Sequence, residues 1–539
     1  MSTAMSERRK PLYFVLPRVA VPEDAAAATM GSKAFELLRL ARLGLSVPPA
    51  FVLGTDLCRR YFETGGLPPE TRELLLSGLA RLEEATGRRF GGERRPLLVS
   101  VRSGAAVSMP GMMDTVLNVG LCEHTLHGLV RLTGNPRLAR DCYRRLVRDF
   151  MGVVHAAAPA PFDALLEREC AREGVSDPRE LDGASLGRIA EQSLEIASAQ
   201  AGQPFPQEPM EQLTQAVEAV LRSWRSDKAL HYRRLNGIPE EPGTAVTVQM
   251  MVFGNAGSES GAGVGFTRDP ATGAGGLYLD FLFNGQGEDV VAGREAPEDA
   301  AQLDQRLPAV AAQLRRLPQT LEREFGDMQD FEFTVENGRL YLLQTRAGKR
   351  TPWAALRIAL DLVHEGRITP AQALQRLKDV SLEKLERTRL STGAAVAPIG
   401  RAVAASIGVA SGSIVLDARR AASLAGEGRP VILVRQDMDT DDIAGIAAAA
   451  GVLTASGGRT SHAAVVARQL GKVCLVNCRE LRIGPEPTAC TIAGRQLFEG
   501  EELTLDGNSG QIYRGRIEVV RERPEAELAE VAKWRAAER

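Results

Sequence analysis

The stretch Gly457-Gly458-Arg459-Thr460-Ser461-His462-Ala463-Ala464-Val465-Val466-Ala467-Arg468 decides how the C-terminal part of this chain folds. Gly451 to Ala455 before it reads as a strand, Ser461 to Leu470 as a helix, and Val473 to Val476 as the next strand. The glycine pair marks a tight turn, and Thr460 or Ser461 suits the N-cap. His462 then falls in the first turn of the helix. A helix N-terminus favours anions and disfavours a positive imidazole. A neutral imidazole is a nucleophile. Once it carries a phosphoryl group, the same N–H groups and dipole favour the dianion. A lone histidine at a helix start is more often a capping or packing residue. The glycines, the hydroxyl pair and the small-residue helix around this one make a more specific pattern.

Outward from that stretch, the β-rich segment runs from about Ala394 to Ile517, and a charged helix follows from Arg521. Upstream, Trp353 to Leu390 is helical and charged, which suits a connecting arm, and the best domain boundary falls between 350 and 395. Gly31 to Leu43 has apolar residues at helical spacing, and Pro48-Pro49 is its stop. Leu97 to Val101 reads as a short strand, and residues 121 to 235 as mainly helical. Thr244 to Val252, Val264 to Thr267 and Leu277 to Phe283 read as strands, with the glycine-rich 254–265 as a loop between the first two. Residues 298 to 325 return to a helical pattern. The expected layout is a first region over 1–350 with its helical insertion at 121–235, a linker at 351–393, a module at 394–517 and a tail at 518–539.

Length and composition narrow the class. A chain of 539 residues suggests roughly three to four domains. Net charge of −2 argues against a general nucleic-acid binder. No run of about 18 uncharged apolar residues points to a transmembrane helix. Met1 to Lys10 is polar and basic, and the stretch after it lacks the apolar core of a secretory signal. Seven scattered cysteines include Cys474 and Cys478, four apart, with no second pair to complete a zinc site. Reduced thiols and a cytoplasmic location are the expectation.

Residues 330 to 346 read as a hairpin. Phe331, Phe333, Val335, Tyr341 and Leu343 alternate with Asp330, Glu332, Thr334, Gln344 and Arg346. A two-residue Asn337-Gly338 turn would put Glu332 and Gln344 on opposite faces. A three-residue Glu336-Asn337-Gly338 loop would gather the aromatics on one face and Asp330, Glu332, Gln344 and Arg346 on the other. Burial of the aromatics selects the longer loop. A carboxylate and an amide oxygen suit Mg²⁺, and Arg346 suits phosphate, although an ordinary solvated face of paired charges has the same composition.

The His462 stretch resembles the phosphohistidine signature of the phosphoenolpyruvate-utilising enzymes, and its Thr-Ser-His form resembles the pyruvate phosphate dikinases more than the phosphoenolpyruvate synthases. Val431-Ile432-Leu433-Val434-Arg435, Asp441-Asp442-Ile443 and Leu503-Thr504-Leu505-Asp506-Gly507 resemble the same module. Further blocks follow in family order through the N-terminal half. They include Gly31-Ser32-Lys33-Ala34, Val99 to Ala105, Met109 to Thr115, Gly265 to Pro270, Gly285 to Val291, Gln329 to Phe333 and Leu343 to Arg346. The resemblance implies an α/β multidomain protein, with an ATP-grasp-like nucleotide-binding domain followed by a swivelling β/β/α phosphohistidine domain.

It further implies His462 as the catalytic phosphoryl carrier and Lys33, Arg102, Asp330, Glu332, Gln344 and Arg346 as nucleotide or phosphate contacts. Glu332 and Gln344 become the metal ligands for Mg²⁺. ATP is the substrate, and the glycines of 254–265 are expected over its phosphates. Thr460 is a candidate regulatory phosphorylation site, with simple capping preferred. Met30-Gly31 stands where relatives have a glycine pair, which leaves the loop before Lys33 open. The match stops at Arg539, before the phosphoenolpyruvate/pyruvate barrel of full-length members. The expectation is therefore a partial dikinase that converts ATP and inorganic phosphate to AMP and pyrophosphate. It would pass the phosphoryl group to a barrel or other acceptor on a separate chain, with a homodimer allowed. Two alternatives stand beside it. One is a synthase-type or small-molecule dikinase component that uses water and an unknown acceptor. The other is a non-catalytic nucleotide-binding regulator, against which the joint presence of the site residues weighs.

Overall fold

The computed structural model describes residues 12–17, 21–107, 109, 113–235, 237–240, 243–292, 300–391, 396–438, 442–459, 461–484 and 488–537. The polar N-terminus, part of the 109–115 block, Asp441 and Thr460 lie outside the described residues. The chain is a mixed α/β multidomain protein that divides into two compact units. One comprises Met1–Ala256 with Leu340–Thr345, the other Gly257–Arg339 with Arg346–Arg539. The division falls inside the segment read as one nucleotide-binding region.

The first unit centres on an antiparallel sheet ordered Leu12–Val15, Ala50–Leu53, Thr244–Met250, Val99–Ala105, Thr115–Val119. All seven residues of Thr244–Met250 are buried, so this strand is covered on both faces. Helices of nine or more residues occupy most of 123–235, the segment read as mainly helical. Helix Ser32–Arg42 ends before Pro48-Pro49, because Gly44 turns left-handed (φ 77°). The stop is therefore the glycine and not the proline pair.

In the second unit, strands Gln329–Glu336, Gly261–Arg268 and Gly275–Phe283 pair antiparallel in that order. Gly261, Gly263 and Gly265 thus lie inside a buried strand, not in a loop over phosphates. A Cβ at Gly261 would meet the Phe281 ring at 2.3 Å, one at Gly263 the Phe333 ring at 2.5 Å, and one at Gly265 the Phe331 ring at 2.4 Å. Glycine is needed there because aromatic rings lie flat on the strand. Phe281 and Phe333 stack at 5.7 Å with planes 7° apart.

Residues 352–390 do more than connect. Helices Pro352–His364 and Pro370–Leu377 bury Leu356, Ile358, Leu362 and Leu377 in a core shared with Val531 of the terminal helix Glu525–Ala537. Strand Arg387–Leu390 pairs with Val519–Glu522. Arg268, 4% exposed, anchors this packing by ion pairs to Glu322, Asp361 and Glu365.

The C-terminal module is an eight-stranded sheet whose middle strands Val409–Val415, Val431–Arg435, Gly451–Thr454 and Val473–Val476 run parallel. Alternation separates two faces. Val431, Leu433 and Val452 pack against the helices through Ala418, Ile446, Ala463 and Ala467. Ile432, Val434 and Leu453 pack against a small sheet through Leu481, Cys490 and Leu497. The layers therefore run sheet, sheet, helices. No helix among the described residues is long and apolar enough to cross a membrane.

Candidate functional site

The His462 stretch folds as its residue types direct. Gly457 takes φ 92°, turning the chain after Gly451–Thr454. Ser461 is the N-cap, with its N–H donating to Gly458 O (3.1 Å) and its Oγ accepting from the Ala464 N–H (3.5 Å). Capping thus falls to Ser461, and Thr460 lies outside the described residues. His462 is the first residue of helix His462–Gln469, as expected, and its side chain also lies outside the described residues. Ala463, Ala464 and Ala467 face the sheet and leave the helix close against it.

Lys33 and Arg102 lie in the first unit. Lys33 is the second residue of helix Ser32–Arg42, and Arg102 is mid-strand in Val99–Ala105. Their elements are locked together at one point. Gly31 (φ 77°, ψ 150°) packs so tightly that a Cβ would stand 2.0 Å from Gly104 O, and Ser32 Oγ donates to Ala105 O at 3.0 Å. Only glycine adopts that backbone region freely. One glycine at 31 therefore does what close approach to the strand requires. The helix start, with no acidic residue in its first turn, points partial positive charge at this spot.

Asp330, Glu332 and Arg346 lie in the second unit, and Gln344 lies in the first. The register pairs Asp330 with Phe266 and Phe266 with Tyr278, and likewise Glu332 with Val264 and Val264 with Asp280. Residues directly opposite share a face. Asp330, Glu332 and Asp280 therefore lie on one face, and Phe331, Phe333 and Phe281 on the other. Asp330, 5% exposed, accepts from Arg346 Nε and pairs with its Nη2, both at 2.8 Å. Burial pushes the Asp330 carboxyl up, Arg346 pulls it down, and the charge of Glu332 adds to the push. The Arg346 guanidinium is opposed by its own burial, but Asp330 and Glu332 outweigh that and hold it charged.

The hairpin differs from expectation. Strand Gln329–Glu336 ends and Arg339–Ala347 begins with only Asn337 (φ 48°) and Gly338 (φ 72°) between them. Two successive left-handed residues make a two-residue type I′ turn, which follows the natural strand twist. The three-residue loop is not formed. Its premise of one aromatic face also fails. Phe331 and Phe333 pack on the glycine strand of the second unit, whereas Tyr341 and Leu343 pack against the core of the first. The argument that placed Glu332 and Gln344 on one face by loop length therefore falls, and the pair rests on the resemblance alone.

Two features escaped the sequence reading. Asp280, 5% exposed, joins the carboxylate face; its signal was a lone acid in the apolar run Leu277 to Phe283. Arg468, 1% exposed, closes the phosphohistidine-like stretch and is among the largest fully buried side chains. Among the described residues no three His, Cys, Asp or Glu side chains gather as a metal cluster. Magnesium, which takes one or two protein oxygens and completes its shell with phosphate and water, does not need one. The hard carboxylate oxygens of Glu332 are of the kind it takes, whereas Asp330 is already engaged by Arg346.

Comparison with known proteins follows the same lines. The family profile described as pyruvate phosphate dikinase, AMP/ATP-binding domain, matches residues 73–310 and 300–366, more than half of the chain. The profile described as PEP-utilising enzyme, mobile domain, matches residues 427–510. The chain is 44% identical over 493 residues to pyruvate, phosphate dikinase of Clostridium symbiosum, covering 91% of this chain and 56% of that protein. It is 42% identical over 523 residues to the Rhizobium meliloti protein of the same name, covering 95% and 58%. With the Giardia intestinalis protein of that name it shares 41% over 536 residues, covering 98% and 61%. The chain thus spans little more than half the length of the curated relatives it matches. Both matched regions in this order, with identity to these relatives over 91% or more of the chain, place it: the chain belongs to the pyruvate phosphate dikinase family.

Proposed function

We propose that this chain is the ATP-side catalyst of a pyruvate phosphate dikinase-type phosphotransferase, built on an ATP-grasp-like nucleotide domain and a swivelling phosphohistidine domain. The γ-phosphoryl group of ATP passes to inorganic phosphate as pyrophosphate. The β-phosphoryl group bonds to a nitrogen of His462, and AMP leaves. The phosphoryl group then goes to pyruvate or another acceptor, carried on a separate chain or domain. His462 at the first turn of a Ser461-capped helix carries this reading. That helix start favours the neutral nucleophile before transfer and the dianion after it.

Lys33 and Arg102 would bind nucleotide phosphate from the interlocked helix start and strand of the first unit. Asp330, Glu332 and Arg346 would serve from the carboxylate face of the second, and Gln344 from its own strand. Mg²⁺, for which the resemblance implies Glu332 and Gln344 as ligands, would neutralise phosphate charge. Arg346, kept charged by Asp330 and Glu332, would orient the transferring group; such positioning and charge neutralisation dominate phosphoryl transfer. Thr460, two residues before His462, is proposed as a regulatory phosphorylation site.

The test is incubation with Mg²⁺ and ATP labelled at the β position, with and without inorganic phosphate. Acid-labile, base-stable label on the wild type and none on His462→Ala is the expected result. Dependence on phosphate, with labelled pyrophosphate released in a parallel incubation with γ-labelled ATP, supports dikinase chemistry; release of labelled free phosphate in that incubation instead supports the synthase type. ATP binding without any label would overturn the enzyme reading and leave a nucleotide-binding regulator.

A further inference from the structure

Arg468 stands out because its burial is not repaid within its own module. Its Nη1 donates to Ala405 O at 3.2 Å, but its Nε and Nη2 have no hydrogen-bond partner among the described residues. A buried guanidinium so placed costs several kcal/mol, of the order given for unsatisfied charged groups, unless other charges offset it. Of the groups that act on it, Cys474 belongs to its own module, and Asp330, Asp280 and Asp269 lie on or next to strands Gln329–Glu336, Gly275–Phe283 and Gly261–Arg268 of the same unit. Desolvation pulls Arg468 down to about 10, and Cys474, Asp330, Asp280 and Asp269 act against that pull. Its guanidinium lies 5.6 Å from the centre of the Phe266 ring.

Arg459 repeats the arrangement. Its Nε donates to Ala404 O at 3.4 Å, and its guanidinium lies 5.8 Å from the centre of the Tyr278 ring. Ala404 and Ala405 are consecutive, and the strand Val403–Ser406 is bulged there, which turns carbonyls out of the ladder toward the two arginines. Phe266 and Tyr278 are direct register partners on the face that carries Asp330, Glu332 and Asp280. Two arginines that flank His462, three residues before and six after, thus touch one row of the carboxylate face.

We infer that Arg459 and Arg468 seat the helix bearing His462 on the carboxylate face of strands Gly261–Arg268 and Gln329–Glu336, as positioning residues for phosphoryl loading. The inference rests on the loading reaction proposed above. Each arginine is fixed by one nitrogen to the bulged strand of its own module and faces an aromatic ring of that row, and Arg468 in addition lies within the field of Asp330 and Asp280. Cation–ring contacts of this kind hold within about 6 Å of the ring centroid. Arg468 also brings positive charge to Asp330 and Asp280, which would otherwise repel the phosphates that His462 must approach.

The experiment uses the full chain with Mg²⁺ and β-labelled ATP. Arg459→Ala, Tyr278→Ala, their double variant and Arg468→Lys are compared for the rate of His462 labelling, for ATP affinity, and for hydrogen exchange in strands 261–268 and 275–283. Lysine keeps the charge but loses the planar fork. Expected are labelling rates at least tenfold lower with ATP affinity within twofold of wild type, and faster exchange in both strands. The double variant should be no slower than its slower single, because the two residues share one contact. Rates within twofold of wild type for both arginine variants, or a double variant whose loss is the product of its singles, would overturn the inference. If wild type takes no label, the loading reading fails separately. Exchange then decides the docking, and unchanged protection in Arg459→Ala sinks it. Should Arg468→Lys fold poorly, the Arg459 and Tyr278 set decides alone.

Discussion

Gly31→Ala tests whether the close approach of helix Ser32–Arg42 to strand Val99–Ala105 positions Lys33, and Gly44→Ala supplies its control. Both glycines have φ 77°, but a Cβ at Gly44 has nothing within 4 Å, whereas one at Gly31 meets Gly104 O at 2.0 Å, its carbonyl carbon at 2.5 Å and its Cα at 2.9 Å. The left-handed φ alone costs an alanine about 1–2 kcal/mol. Gly31 adds ψ 150°, a region that costs up to about 3 kcal/mol. The overlap adds about 1–3 kcal/mol more. Its atoms are backbone, so no side chain can swing aside, and about 1 Å must open between helix start and strand. A misplacement of about 1 Å can reduce phosphoryl transfer on the order of 100-fold. Gly31→Ala should therefore lower ATP affinity and slow His462 labelling on the order of 100-fold. Its Tm should fall on the order of 10 °C, at about 2–4 °C per kcal/mol for a unit of this size. Gly44→Ala should lose a few degrees and keep its labelling rate. Equal labelling rates in the two variants would refute the positioning argument, whatever the melts show.

Asp141, 3% exposed, pairs with Arg144 (2.6 Å) and Arg145 (3.1 Å) and accepts from Asn255 Nδ2 (2.8 Å). Asp141→Asn should cost about 3–5 kcal/mol at pH 7, read by thermal melting. Burial pushes this carboxyl up, but Arg144, Arg145 and Arg137 prevail and hold it well below the ordinary range. Its stabilisation is therefore present above an unfolded value of about 3.9 and fades as pH falls below that. The Tm gap between wild type and variant should narrow from about pH 5 downward, and a constant gap would contradict the assignment. Gly263→Ala would press a methyl to 2.5 Å from the Phe333 ring and 2.8 Å from Asp280 O, costing about 1–3 kcal/mol by denaturant unfolding. Phe333→Leu should recover part of that loss if the ring is the obstacle. Ser461→Ala removes the cap on the His462 helix and should cost about 1 kcal/mol, seen as faster amide exchange in its first turn.

Local patterns were legible in the sequence, and contacts across the chain were not. Glycine turn, hydroxyl cap and small-residue helix are neighbours in sequence, so the start of helix His462–Gln469 could be placed to within a residue, with Thr460 and Ser461 both offered as the cap. The hairpin misled because burial was assumed to come from one side. Phe331 and Phe333 meet glycines of an adjacent strand, while Tyr341 and Leu343 meet a core built from distant segments. Only the positive φ of Asn337 and Gly338 then sets the turn, and Asn-Gly was its correct local sign. The run Gly261 to Gly265 failed differently. Glycine alternating with Ala262 and Val264 has strand period, but its turn propensity masked a flat surface made for Phe281, Phe331 and Phe333. Arg468 was read as part of a signature; nothing local distinguishes a buried arginine from a solvated one.

Strand Gly261–Arg268 links these outcomes. Its glycines let three aromatic rings lie against one face, and the resulting stack fixes the register with Gln329–Glu336 and Gly275–Phe283. Register decides which residues share the opposite face, because a one-residue slip would send every side chain to the other side. Asp330, Glu332 and Asp280 stand together on that face only while the rings hold their partners. Val264 and Phe266 carry the same face between them, and Phe266 with Tyr278 receives the two arginines that flank His462. Packing of rings on glycines on one face thus sets where acid and base charges meet on the other. A substitution at Gly263 or Gly265 should therefore disturb loading at His462 through register as well as stability, although neither glycine shares the face on which the charges lie.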